Sequence, residues 1–301
     1  MKEALLYRTL PDNSVSCNLC AHHCLITQDN FGRCGVRKNC GGKLFTLAYG
    51  RTIAENIDPV EKKPLFHFLP GSKTYSIATV GCNFRCGFCQ NWQISQVSEI
   101  LEAGERGRLS SPADIVARAI KSGCRSISFT YTEPTIFLEY ASEIAALAQE
   151  KNLANIFVTN GFMTTEALKL IGNSLNACNV DLKSFRDDFY KRNCGARLKP
   201  VLDTISGIKE RGIWLEIATL LIPGENDSEE ELKNMAEFIA GIDRNIPWHV
   251  SRFFPQYKFS NRTVTPVSTL KLARETGLRA GLKYVYIGNV AGMRDQDEND
   301  G

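Results

Sequence analysis

Three cysteines, Cys82, Cys86 and Cys89, fall within the stretch CNFRCGFC. Thiolates are soft ligands, and three in one short loop suit a metal or cluster better than a disulfide framework. A structural zinc takes four ligands, and a cubane iron–sulfur cluster normally takes four cysteines. Three thiolates leave one coordination position open, as a catalytic centre requires. An iron–sulfur cluster with one exchangeable ligand is the sharper reading. A zinc site completed by His67 or a distant cysteine is the other. A second group lies upstream, where Cys17, Cys20, Cys24 and Cys34 supply the four ligands of a closed site. Those residues suit a structural zinc or a second iron–sulfur cluster that relays electrons. His22 or His23 could replace a cysteine there, and Cys40 reads as a spare thiol.

Composition frames these groups. The chain has 301 residues with eleven cysteines, a formal charge of +3 and a pI near 8.2. That charge is too mild to argue for nucleic acid. No uncharged apolar run approaches the ~18 residues of a membrane helix. The start, MKEALLYRTL, lacks the apolar core of a secretory signal. A cytoplasmic protein is expected, in which clustered cysteines serve metals or catalysis.

Three regions are expected. Residues 1–73 form a cysteine-rich metal-binding region and linker, 74–290 an α/β domain, and 291–301 a flexible acidic tail. In the middle region the β-rich runs YSIATV, SISFTY, ANIFVT, ACNVDL, WLEIATLLI and WHVSRFF alternate with amphipathic stretches. Alternation of that kind builds a parallel sheet with helical crossovers, here a partial (β/α)6 barrel. A seventh run, YVYIGNV, would close or cap it. Ser111, Pro112 and Asp114 form a helix start, and Ser228 with Glu231 repeats the capping box.

Parallel barrels gather their active sites at the C-terminal strand ends. Cys82 follows the first expected strand and Glu133 the second. Thr159 and Asn160 end the third, Asp181 and Lys183 the fourth, and His249 and Arg252 lie on the sixth. Glu216 falls inside the fifth, where a charge is costly unless paired. It would contact Lys183 or Arg252, or face the reaction cavity. Cys194, in a loop after the fourth strand, could meet a substrate. Cys124 and Cys178 read as small core residues, and Lys63 and His67 as parts of a packed linker.

CNFRCGFC resembles the signature of the radical S-adenosylmethionine superfamily. The resemblance implies a [4Fe–4S] cluster on Cys82, Cys86 and Cys89, with S-adenosylmethionine chelating the fourth iron. Reductive cleavage of that cofactor would give a 5′-deoxyadenosyl radical that abstracts hydrogen. Phe88 would lie near the adenine. Residues 75–290 look like the pyruvate formate-lyase activating enzyme group. By that similarity Thr132 and Glu133 replace the glycine-rich acidic motif that holds the cofactor's amino group. Asn160, Asp181, Lys183 and His249 fall where that group places cofactor contacts, with Lys183 the natural partner of the methionine carboxylate. CNLCAHHC, GRCGVR, DPVEKKPLFHFLPGS and CQNW together resemble AmmeMemoRadiSam radical enzymes, which implies Memo-like and AMMECR-like partners. A flavodoxin or ferredoxin would supply the electron. The chain departs from that family at Ala21, where proline is usual, and in lacking a last cysteine pair. Two rival readings are a glycyl-radical-enzyme activating enzyme and a non-catalytic iron–sulfur electron-transfer protein. Glu216, Arg252 and Cys194 remain candidates for facing a substrate that the residues do not name.

Overall fold

A computed structural model describes residues 1–96 and 107–290, so the expected acidic tail lies outside the described residues. The amino-terminal region folds as small antiparallel sheets. β1 (Lys2–Glu3), β2 (Tyr7–Thr9), β3 (Val15–Cys17), β4 (Leu25–Ile26), β5 (Arg37–Cys40) and β6 (Lys43–Thr46) form two of them, in the orders β1-β6-β5 and β2-β3-β4. β7 (Arg51–Thr52) pairs with Arg108–Leu109, which is β10 in chain order.

The main sheet has eight strands that follow one another in sequence: β8 (Ala54–Pro59), β9 (Lys73–Ala78), β11 (Ser126–Phe129), β12 (Ala154–Thr159), β13 (Ala177–Asp181), β14 (Trp214–Leu221), β15 (Trp248–Arg252) and β16 (Val285–Gly288). From β9 to β16 every pairing is parallel, while β8 runs antiparallel to β9. The seventh run of the sequence joins as a parallel strand, β16, beside β15. Among the described residues β16 and β8 form the two edges, so the barrel stays open. β8 carries no sequence signal because AENIDP is mostly polar, half exposed and ends in proline.

Helices cross over between successive strands. The one at Pro112–Lys121 starts as expected: Ser111 caps Asp114 N–H, and Asp114 reaches back to the Ser111 amide. At Glu229–Ile242 only half of the expected box forms. Ser228 receives the Glu231 amide, but the Glu231 carboxylate turns away to Ser184, the Phe185 N–H and Arg186. A carboxylate buried at 2 % exposure takes the richest set of donors in reach, and the loop after β13 supplies it.

Side chains alternate across the strands. Phe157, Cys178, Val180 and Ile217 join the large core beneath the helices. The opposite face meets residues 60–68, whose Val60 and Leu65 pack on Ile156 and Ala177 in a core of their own. The linker is therefore a plug on the inner face of the sheet. Lys63 within it is 2 % exposed and pairs with Asp58 at 2.7 Å.

Candidate active site

Cys82, Cys86 and Cys89 lie in the loop that leaves β9, and Asn160 at the end of β12 reaches into that loop. The Phe84 amide points at Cys82 Sγ from 3.3 Å, and Asn160 Nδ2 stands 3.9 Å from the same sulfur. Cys89 Sγ lies 3.1 Å from Ser95 Oγ. Asn160 Nδ2 also donates to Asn83 Oδ1 at 2.8 Å. All eleven cysteines are free thiols.

Glu133, 2 % exposed, clamps the ends of β11 and β12 together. Its carboxylate accepts the Thr135 amide and hydroxyl, the Thr159 hydroxyl and the Asn160 amide, all within 3.0 Å. Burial raises its pKa above the carboxylate range, against the pull of those donors. Thr132 Oγ1 donates to the Thr79 carbonyl at 2.8 Å and so ties the end of β11 to the exit of β9. Just before it, Tyr131 has φ +62, a left-handed backbone in which a bulky side chain is strained. Its hydroxyl donates to Asp58, and Lys63 Nζ lies 4.5 Å above its ring.

Lys183 Nζ donates to Asp181 Oδ2 at 2.8 Å and sits 5.9 Å over the Phe88 ring. Burial pulls the lysine pKa down, but the neighbouring Asp181, Cys86 and Cys194 outweigh it and hold the ammonium protonated. Phe88 is buried between Phe189 and Phe259, with ring centroids 5.9 and 5.7 Å away. Residues 256–259 strap this corner: Lys258 N–H donates to the Gly87 carbonyl at 3.0 Å, and Gln256 reaches the Gln90 carbonyl. A Cβ on Gly87 would stand 2.8 Å from the Phe259 ring, so the strap requires glycine there.

One rim thus gathers Cys82, Cys86, Cys89, Phe88, Thr132, Glu133, Asn160, Asp181 and Lys183. Four other candidates lie elsewhere. His249, the second residue of β15, sits deeper on the inner face and engages Glu216 at 2.7 Å. Glu216 contacts neither Lys183 nor Arg252. It accepts His249, Trp214 Nε1 and the amides of Phe66 and His67, so the inner-face plug satisfies its charge. Arg252 donates to the Thr265 carbonyl and packs over Phe254. Cys194 is fully buried behind the cysteine loop, against Cys86. Sequence reasoning missed Asn83, Ser95, Tyr131, Phe259 and the turn at 190–194. Only the CNFRC spacing could have drawn attention to Asn83.

The amino-terminal cysteines press on the back of this loop. Cys20, Cys24 and Cys34 are raised first by burial and then by neighbouring thiols, Cys34 to about 11. Cys20 bridges to Met163, just past β12. Arg37 donates to the Leu5 carbonyl, points at Cys17 Sγ from 3.8 Å, and forms a buried ion pair with Glu139. His22 Nε2 meets the Asn83 carbonyl at 2.8 Å, and Arg85 reaches the Arg33 carbonyl. Gly81, at φ +96, lets the Cys34 carbonyl approach to where a Cβ would leave only 2.9 Å.

Among the described residues no three His, Cys, Asp or Glu side chains stand at the spacing of ligands to one metal ion. A cluster is wider than an ion, since it takes one thiolate per iron. The rim offers it three thiols on one loop, donors aimed at two of the sulfurs, and a part-buried ammonium beside them.

Residues 76–239 match the model of the radical SAM superfamily. The chain belongs to the radical SAM superfamily. It is 43% identical over 300 residues to the uncharacterized protein MJ0808 of Methanocaldococcus jannaschii, covering 99% of this chain and 88% of that one. It is 23% identical over 180 residues to the pyruvate formate-lyase-activating enzyme of Clostridium pasteurianum, covering 59% and 73% of the two chains. In fold it is similar to a radical SAM methyltransferase from Sphaerobacter thermophilus, with a TM-score of 0.55 at 16% identity over 76% of this chain and 69% of that one. The protein is thus a radical SAM enzyme whose cofactors are a [4Fe–4S] cluster and S-adenosylmethionine. When bound, they supply a 5′-deoxyadenosyl radical. The cysteine loop presents the thiols of Cys82, Cys86 and Cys89 on this rim, with the cation of Lys183 near Cys86. No helix among the described residues is long and apolar enough to cross a membrane.

Proposed function

We propose that this radical SAM enzyme is of the AmmeMemoRadiSam type and acts in the cytoplasm by hydrogen abstraction. On this reading Cys17, Cys20, Cys24 and Cys34 hold a structural zinc, a flavodoxin or ferredoxin delivers the electron, and Memo-like and AMMECR-like proteins are partners. Lys183 takes the cofactor's carboxylate, with Asp181 keeping it in place, and Phe88 orders the cofactor side of the loop. One observation carries the proposal: the amino-terminal cysteine region is built into the back of the cluster loop. His22 on Asn83, Arg33 under Arg85, and Cys34 against Gly81 make it part of the enzyme's working core. Four cysteines within eighteen residues of the sequence, Cys17 to Cys34, suit a metal that supplies folding energy.

The test is release of 5′-deoxyadenosine from anaerobically reconstituted, reduced protein, with the small-molecule and protein fractions of a host lysate added separately. Stimulation by the small-molecule fraction supports the proposal. Stimulation by the protein fraction alone favours a macromolecular target and the rival reading as a glycyl-radical-enzyme activating enzyme, to a putative one of which the chain is similar. For the second metal, Cys20→Ala loses zinc and soluble protein if the site is structural. A folded Cys20→Ala protein that no longer accepts electrons makes the site an electron relay.

A further inference from the structure

The sulfurs of the cysteine loop are not equally served. Cys82 Sγ is met by a backbone amide, that of Phe84 at 3.3 Å. Cys89 is half-buried where Cys82 and Cys86 are buried, and its sulfur meets a side chain, Ser95 Oγ at 3.1 Å. Ser95 is the last residue of the short helix Trp92–Ser95 and is itself 2 % exposed. That helix is tied at both ends. Asn91 Nδ2 donates to the Tyr131 carbonyl at 2.8 Å, and the Ile94 carbonyl accepts the Gly81 amide at 2.8 Å. The Ser95 amide donates to the Asn91 carbonyl at 2.9 Å, so the backbone sets the serine's place beside Cys89.

The direction of the Ser95 bond follows from its other partner. Gln96 Nε2 donates to the Phe84 carbonyl at 3.3 Å and to Ser95 Oγ at 3.1 Å. A carbonyl only accepts, which fixes the end of the Gln96 amide that faces inward. The serine oxygen therefore accepts from Gln96 and keeps its single proton for Cys89. A thiolate has no proton to give, so a Cys89 bound to iron can only accept it. Hydrogen bonds to cluster sulfurs help set the reduction potential. They stabilise negative charge on the sulfur, and the reduced cluster is the more negative form, so such a bond raises the potential.

We propose that Ser95 is a positioning residue for the iron–sulfur cluster, its hydroxyl donating to Cys89 Sγ and raising the cluster's reduction potential. The proposal rests on the reading of Cys89 as a cluster ligand. Ser95 is then an outer partner that orients a metal ligand and tunes the centre.

The experiment is a redox titration, followed by electron paramagnetic resonance, of anaerobically reconstituted wild type, Ser95→Ala and Ser95→Thr. Ser95→Ala is expected to bind wild-type iron and shift to a more negative midpoint. Ser95→Thr, which keeps the hydroxyl, returns most of that shift. Pulsed spectra of the reduced proteins in D2O against H2O should show an exchangeable-proton coupling in wild type and Ser95→Thr that Ser95→Ala lacks. Equal midpoints in wild type and Ser95→Ala overturn the proposal, as does the same set of couplings in both. A Ser95→Thr protein with full iron and the alanine midpoint also overturns it, because the shift then comes from packing and not from the hydroxyl. Loss of iron from Ser95→Ala overturns it by making the serine a support for the shape of the loop. Wild-type iron in Cys89→Ala instead removes the ligand reading beneath the proposal.

Discussion

Glu216 on β14 and His249 on β15 face each other on the inner side of the sheet, with His249 Nε2 2.7 Å from Glu216 Oε2. Burial pushes the glutamate pKa up, but His249, the Phe66 amide and Trp214 together bring it below the usual carboxylate range. A charge in the middle of a parallel strand is thus the acceptor that locks the 60–68 plug to the sheet. Glu216→Ala would strand His249, an indole N–H and two amides. It is expected to cost about 3–5 kcal/mol, the scale for a broken buried pair. Urea unfolding measures it, and a loss under about 1 kcal/mol would leave the locking role without support.

Cys82→Ala, Cys86→Ala and Cys89→Ala should each lose cluster iron and reduce 5′-deoxyadenosine release to background. The far-ultraviolet circular dichroism should stay unchanged. Undiminished cofactor cleavage in any of the three would remove that residue from the cluster loop.

Gly87 and Phe259 form a steric pair. Gly87→Ala pushes a methyl into the ring at 2.8 Å and should cost about 1–3 kcal/mol of overpacking, with a fall in iron bound per chain. Phe259→Ala added to it makes room and should restore iron binding. If the double variant binds no more iron than Gly87→Ala alone, the strap does not hold the loop.

Asp243 gives a pH signature away from the site. Lys209 and the Asn245 amide hold its carboxyl at about 2. Its folded pKa lies below the unfolded one, so its contribution is present above about pH 4 and is lost as the pH falls toward 2. The pair is partly exposed, with Asp243 at 24% and Lys209 at 41%, so the contribution stays at or below about 1 kcal/mol. Asp243→Asn should narrow the difference in stability between pH 5 and pH 2.5, and an unchanged difference would dismiss the ion pair as a source of acid sensitivity.

Much of this was legible in the residues. The cysteine spacing marked the loop, and β-rich runs between amphipathic stretches marked the parallel strands, because apolar periodicity reports which side of an element is buried. The Ser111 capping box was legible because its partners are neighbours in the chain. β8 was not, because an edge strand needs little apolar surface. The partners of Glu216 were not legible either, since two are backbone amides, which every residue has. Glu231 looked like a cap from its spacing alone, and donors across the β13 loop took it away. Cys194 read as a loop cysteine because nothing in its surroundings in the chain reveals that Cys86 lies beside it.

The inner-face plug also imposes an order on the making of the protein. The amides of Phe66 and His67 find their acceptor only when Glu216, about 150 residues later, has been synthesised. At ~5–20 residues per second the nascent chain carries that segment without its anchor for on the order of ten seconds. The cysteine loop follows the plug closely in the chain, so its thiols leave the ribosome well before β13 to β16 exist.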